Sequence, residues 1–233
     1  MTDQSRPLEI AILVCPGFMQ IDVVGFHAVI SMLPGANVHL VWKNRDEIAG
    51  LPHFPTRATT TFDDCPADLD VLFAGAVPAQ VFEDAETLAF LADRGARARW
   101  VAGVCAGSLL LGAAGLMRGY RATTNFQCHD QLALVGAVPA HGNVVEDRNR
   151  ITAGPATGSH EVGFRLLQAL HGDDLAKMAE LGTEYAPKPL FGVGTPELAG
   201  PELTRRTLDF SAGMLKGYRE VTERAAERMG VRA

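Results

Sequence analysis

The chain has 233 residues, 47% of them apolar, which is enough to bury a sizeable core in one α/β domain. A net charge of −6 with both signs interspersed leaves no footprint for nucleic acid or an acidic membrane. No apolar run approaches the ~20 residues of a membrane span, the start (residues 1–7) lacks the pattern of a leader peptide, and Cys15, Cys65, Cys105 and Cys128 are scattered singly, without metal-ligand spacing. The expectation is a reduced, soluble, cytoplasmic protein without a metal site.

Residues 8–15 are mostly apolar and stopped by Pro16-Gly17, and read as a parallel strand buried on both faces. A helix is expected over 23–33, closed by Pro34-Gly35, then a strand over 38–42. Residues 59–62 suit a short edge strand and 69–73 another buried one. A helical stretch, 83–98, leads to a strand ending at Cys105, followed by a helix over 106–116 and alternating short elements to about residue 171. This order predicts a doubly wound α/β sandwich around a parallel sheet, one domain spanning 1–233. From about residue 184 a tail runs extended across Pro187 and Pro189, and a long helix follows over 201–229. Such an arm suits packing on a second copy of the chain; wrapping its own domain is the competing reading.

Gly103-Val104-Cys105-Ala106-Gly107 sits where a strand turns into a helix, so Cys105 should occupy a sharp, strained elbow at the end of the sheet. The glycines are expected where a Cβ would strike a neighbouring strand or helix. The start of the following helix should favour the thiolate. These features point to a nucleophile rather than to a small core cysteine.

Partners for the sulfur must come from other strand ends. Asp22, in Gln20-Ile21-Asp22-Val23-Val24, lies among apolar residues that should raise its pKa and suit it to proton exchange; capping a helix N-terminus is its other expected role. Cys128-His129-Asp130 reads as a helical surface, His160-Glu161 as the opening of a helix, and Cys15 and Cys65 as structural. No phosphate loop or dinucleotide fingerprint occurs, so chemistry without a cofactor is expected.

The elbow, together with Leu111-Gly112-Ala113-Ala114-Gly115-Leu116 and Arg121-Ala122-Thr123-Thr124, resembles the DJ-1/PfpI superfamily. Gln20-Ile21-Asp22, Thr61-Phe62-Asp63-Asp64-Cys65-Pro66 and Glu184-Tyr185-Ala186-Pro187 extend the likeness over nearly the whole chain, toward the isocyanide hydratases of that superfamily. The resemblance implies a flavodoxin-like homodimer without cofactor. It also implies that Cys105 attacks an isocyanide to give a thioimidate, with Asp22 moving the proton. Substrate would meet Gly75, Ala76, Ala106 and Ile21. Departures surround the pocket. Ala106 stands where the hydratases carry a hydroxyl, Ala76 where a glycine is common, Asn125 in place of a histidine, and Pro155 within a glycine run. Two rival readings keep the elbow: a glyoxalase- or deglycase-like enzyme attacking carbonyls, and a non-catalytic cysteine redox sensor.

Overall fold

The computed structural model describes residues 6–231; the start read above for a leader lies mostly outside them. In chain order the strands and α-helices are β1 (Leu8–Leu13), α1 (Gln20–Ile30), β2 (Ala36–Trp42), β3 (Glu47–Gly50), β4 (Phe54–Arg57), β5 (Thr60–Thr61), β6 (Val71–Ala74), α2 (Ala85–Arg97), β7 (Trp100–Val104) and α3 (Gly107–Ala113). Then come β8 (Arg121–Ala122), β9 (Val138–Pro139), β10 (Val144–Asp147), β11 (Arg150–Ala153), α4 (Gly158–His171), α5 (Asp173–Gly182) and α6 (Pro196–Met229). Two 3₁₀ helices, Ala79–Glu83 and Phe126–Val135, bridge between them.

Seven strands form one sheet in the order β10-β11-β7-β6-β1-β2-β5, with β10 antiparallel to β11 and the other pairs parallel. The burial pattern explains this choice. β6 and β11 are buried along their whole length and β7 over all but its first residue, so helices must cover both faces. Helix α1 packs with α4, and α3 with both α2 and α6, to give the expected sandwich. From β1 the chain winds outward through β2 to β5, then returns to β6 on the other side of β1. The strand order therefore reverses between β1 and β6, where open α/β sheets place their ligands.

Several boundaries differ from the sequence reading. Helix α1 starts at Gln20 rather than at residue 23, so Asp22 lies inside its first turn. The stretch expected as one helix over 83–98 is a 3₁₀ turn followed by α2, separated by Asp84, whose side chain caps α2 at the Thr87 N–H. The last helix begins earlier, capped by Thr195, and kinks at Gly200 (φ 75°) before Pro201, which cannot continue an unbroken ladder. The β3–β4 hairpin leaves little trace in the sequence, because its strands are short and β4 contains Pro55. Among the described residues no helix is long and apolar enough to cross a membrane.

Candidate active site

Cys105 adopts φ 55°, the left-handed region that a side chain enters only at a cost of about 1–3 kcal/mol. The surroundings over-determine it. Its N–H donates to the Ala153 carbonyl at 2.9 Å and its carbonyl accepts from Thr124 Oγ1 at 2.6 Å. A Cβ on Gly107 would lie 2.1 Å from the Ala74 carbonyl oxygen, and one on Gly103 2.9 Å from Ser108 Cα. Both glycines are therefore required by close approach, which presses the elbow against the end of β6.

Asp22 reaches the same place from α1. Asp22 and Phe26 are four residues apart and share a helix face. Phe26 stacks on Phe73 of β6 at 4.0 Å, and Asp22 rests on Gly75, where a Cβ would come within 2.7 Å of the Asp22 Cβ. The carboxyl is completely buried. Oδ2 accepts the Ala76 N–H at 2.8 Å, while Oδ1 is buried without a partner. Burial pushes the Asp22 carboxyl up to about 7, against the opposing pull of the Ala76 N–H. Asp22 does not cap its helix. Met19 occupies the cap position of α1, and the Asp22 side chain crosses to the loop after β6 instead.

The sulfur departs from its sequence expectation. Burial, and then the Asp22 charge, push the Cys105 thiol up to about 12; N–H groups of Asn125 and Ala106 pull the other way. The seven-residue α3 does not offset this, and the surroundings favour the thiol over the thiolate. Asp22 and Cys105 thus form a pair in which the carboxyl releases its proton first.

The other expected site residues occupy distinct places. Ala76 gives its N–H to Asp22 and so has none to offer an oxyanion. Ala106 is buried and directs its N–H at the sulfur. Ile21 is exposed at the side chain, and its N–H lies in the first turn of α1, outside the intrahelical ladder. Pro155 is exposed, with its carbonyl accepting from the Gly158 N–H.

Asn125, noted in the sequence only as a departure, donates from Nδ2 to Cys105 Sγ at 3.1 Å. His129 faces the Ala140 carbonyl and Asp130 pairs with Arg219, as surface roles require, whereas Cys128, read with them as surface, is fully buried in the core. Burial raises the other three thiols as well, Cys15 to about 12 and Cys65 and Cys128 to about 11. Among the described residues no group of three or more His, Cys, Asp or Glu could hold a metal ion. A mostly apolar cavity of about 270 Å³ adjoins the site through Ala76 and Val77 and is walled by Met19, Leu51, Met214 and Tyr218. A larger cavity of about 480 Å³ lies on the α4–α5 surface beside Tyr185, away from the sulfur.

Fold and site together define an α/β protein whose cysteine elbow faces a buried carboxyl at the reversal of strand order. The sequence profile of the DJ-1/PfpI family matches residues 8–169, and the chain belongs to that family. It is 40% identical to the isonitrile hydratase of Pseudomonas putida over 227 residues, covering 97% of this chain and 99% of the relative. The crystal structure of a ThiJ/PfpI family protein from Pseudomonas syringae superposes with a TM-score of 0.89 at 39% identity, over 94% of this chain and 90% of that one. Oxidized Toxoplasma gondii DJ-1 shares the fold at a TM-score of 0.69 and 17% identity, over 77% of this chain and 100% of the other.

Proposed function

We propose that this protein hydrates isocyanides to N-substituted formamides through a covalent thioimidate on Cys105. The observation that carries the reading is the coupled pair of a buried carboxyl and a half-buried thiol at the strand-order reversal. The likeness to an isonitrile hydratase over almost the full length of both chains supports it. An isocyanide carbon accepts a nucleophile only as it gains a proton, so the group that removes the thiol proton should also deliver it.

In the resting pair Asp22 is the carboxylate and Cys105 the thiol. Asp22 takes the Sγ proton as the sulfur bonds to the terminal carbon, then gives that proton to the same carbon, leaving R–N=CH–S–Cys105. Water adds next, with Asp22 as base. The nitrogen gains a proton, the C–S bond breaks, R–NH–CHO departs and the thiol is restored. Ala106 offers its N–H to the sulfur, Ala76 orients Asp22, Gly75 leaves room, and Ile21 has a first-turn N–H free for substrate. Both steps consume only water and the substrate.

The rival readings fit less well. Carbonyl addition needs donors for an alkoxide, and the Ala76 N–H already serves a carboxylate that would repel one. Redox sensing favours exposed thiolates, whereas burial and the Asp22 charge push this thiol up. The test is to mix the protein with an aliphatic or aromatic isocyanide and follow formamide in the ultraviolet. Turnover supports the reading; turnover of methylglyoxal with none of isocyanide overturns it.

We also propose that the protein works as a homodimer in the cytoplasm. Tyr185 anchors the tail to its own domain by stacking on His160 and bonding Glu161, but Leu190 and Phe191 beyond it project into solvent, as do Met178, Leu181 and Phe210. A second copy would cover such a surface. Sedimentation should give twice the chain mass, and Leu190→Ser with Phe191→Ser should shift it toward the monomer; a monomeric wild type would refute the dimer.

A further inference from the structure

Nothing in the family resemblance gives Asn125 a role, and its geometry does. We infer that Asn125 is a third catalytic side chain, an amide donor that holds the Cys105 sulfur as it attacks and again as it leaves. The inference rests on the hydratase reading for its reaction, but not for its physical basis.

The local structure directs this side chain to the sulfur. The Thr123 N–H donates to Thr152 Oγ1 at 2.9 Å, and Thr124 Oγ1 to the Cys105 carbonyl at 2.6 Å, so the two threonines tie the loop to β11 and to the elbow respectively. Asn125 comes next and opens the 3₁₀ helix Phe126–Val135, a position where an asparagine ordinarily caps with its own oxygen. Here it makes no such cap. Nδ2 lies 3.1 Å from Cys105 Sγ instead, and Oδ1 is buried with no partner.

An unpartnered buried acceptor is costly, and it persists here beside the reacting atom. The nitrogen of the substrate acquires a hydrogen in becoming a formamide, and that N–H is a donor of the kind Oδ1 lacks. Since Ala106 has no hydroxyl, the side-chain donation to the sulfur comes from Asn125. No proton leaves the amide. It stabilises negative charge on sulfur while the thiol proton is on Asp22, and again when the C–S bond breaks and the electron pair returns to sulfur. The other titratable groups that act on or feel this sulfur are Asp22 from α1, Cys128 from the 3₁₀ helix and Tyr218 from α6.

The test is the pH dependence of Cys105 alkylation by iodoacetamide, read on the Cys105 peptide by mass spectrometry, in wild type, Asn125→Ala and Asn125→His. One charge-assisted hydrogen bond corresponds to about a tenfold or larger effect, so Asn125→Ala should alkylate about tenfold more slowly at a given pH, with its midpoint shifted upward. Its kcat on isocyanide should fall by a similar factor, with KM moving less than about threefold. Asn125→His, which can restore a donor, should recover most of both. A purely structural Asn125 would lower the melting temperature without moving the alkylation midpoint, and an unmoved midpoint overturns the proposal. The alkylation needs no isocyanide. A wild type inactive on isocyanides would therefore refute the hydratase reading alone, while the midpoint would still decide the role of Asn125.

Discussion

Cys105→Ser is expected to lower formamide production by at least about 10³-fold while the melting temperature barely moves. The substitution exchanges one atom for a smaller one and leaves the elbow intact. The bonds from the Cys105 N–H to Ala153 and from Thr124 to the Cys105 carbonyl are made by backbone atoms of residue 105, and they remain. The chemistry does not survive. A carboxylate whose proton is held to about 7 can draw a proton from the thiol as the carbon is attacked, but an alcohol is far less acidic and the same desolvation raises it further. Wild type incubated briefly with isocyanide should show the mass of a covalent adduct on the Cys105 peptide, and the variant none. A serine variant with a tenth of wild-type turnover would remove Cys105 from the mechanism.

What the sequence made legible was local. Gly103-Val104-Cys105-Ala106-Gly107 announces its strained turn because both glycines meet contacts that any elbow of this kind creates. The burial of Asp22 was equally legible from Ile21, Val23 and Val24 beside it. The balance at the sulfur is not legible in the sequence, because the field at the start of α3 is local, while the desolvation that opposes it is set by elements distant in sequence. Asn125 was visible only as an unexpected letter after two threonines. Its nearness to Cys105 depends on Thr152 of β11 pairing with Gly103 of β7 and holding the Thr123 N–H, a consequence of sheet topology. The partner of Asp22 eluded sequence reasoning for the same reason, since the Ala76 N–H meets it only because β6 inserts next to β1. The β3–β4 hairpin and the antiparallel β10 lie at edges, where short half-exposed strands leave little periodicity to read.

Asp22→Asn should separate stability from activity. Asp22 titrates near 3.8 unfolded and at about 7 folded, so between these values the native state binds the extra proton. Unfolding free energy therefore falls as pH rises through that window, and above it the buried carboxylate costs about 4 kcal/mol relative to a group that stays neutral. Asparagine keeps an oxygen for the Ala76 N–H and carries no charge. The variant should be more stable than wild type by about 1–3 kcal/mol at pH 8, with the gain shrinking toward zero near about pH 4. Turnover should move the other way, falling by about 10²–10⁴-fold, because an amide can neither take the thiol proton nor deliver it to carbon. In wild type the pair must lose one proton before it can act, so kcat/KM should rise with pH through about 7 and then level. Denaturation at pH 4 and pH 8, set beside a pH–rate profile from 5 to 9, reads both halves. A flat profile, or a variant less stable than wild type at pH 8, would show that the carboxyl is not a buried, proton-exchanging partner of Cys105.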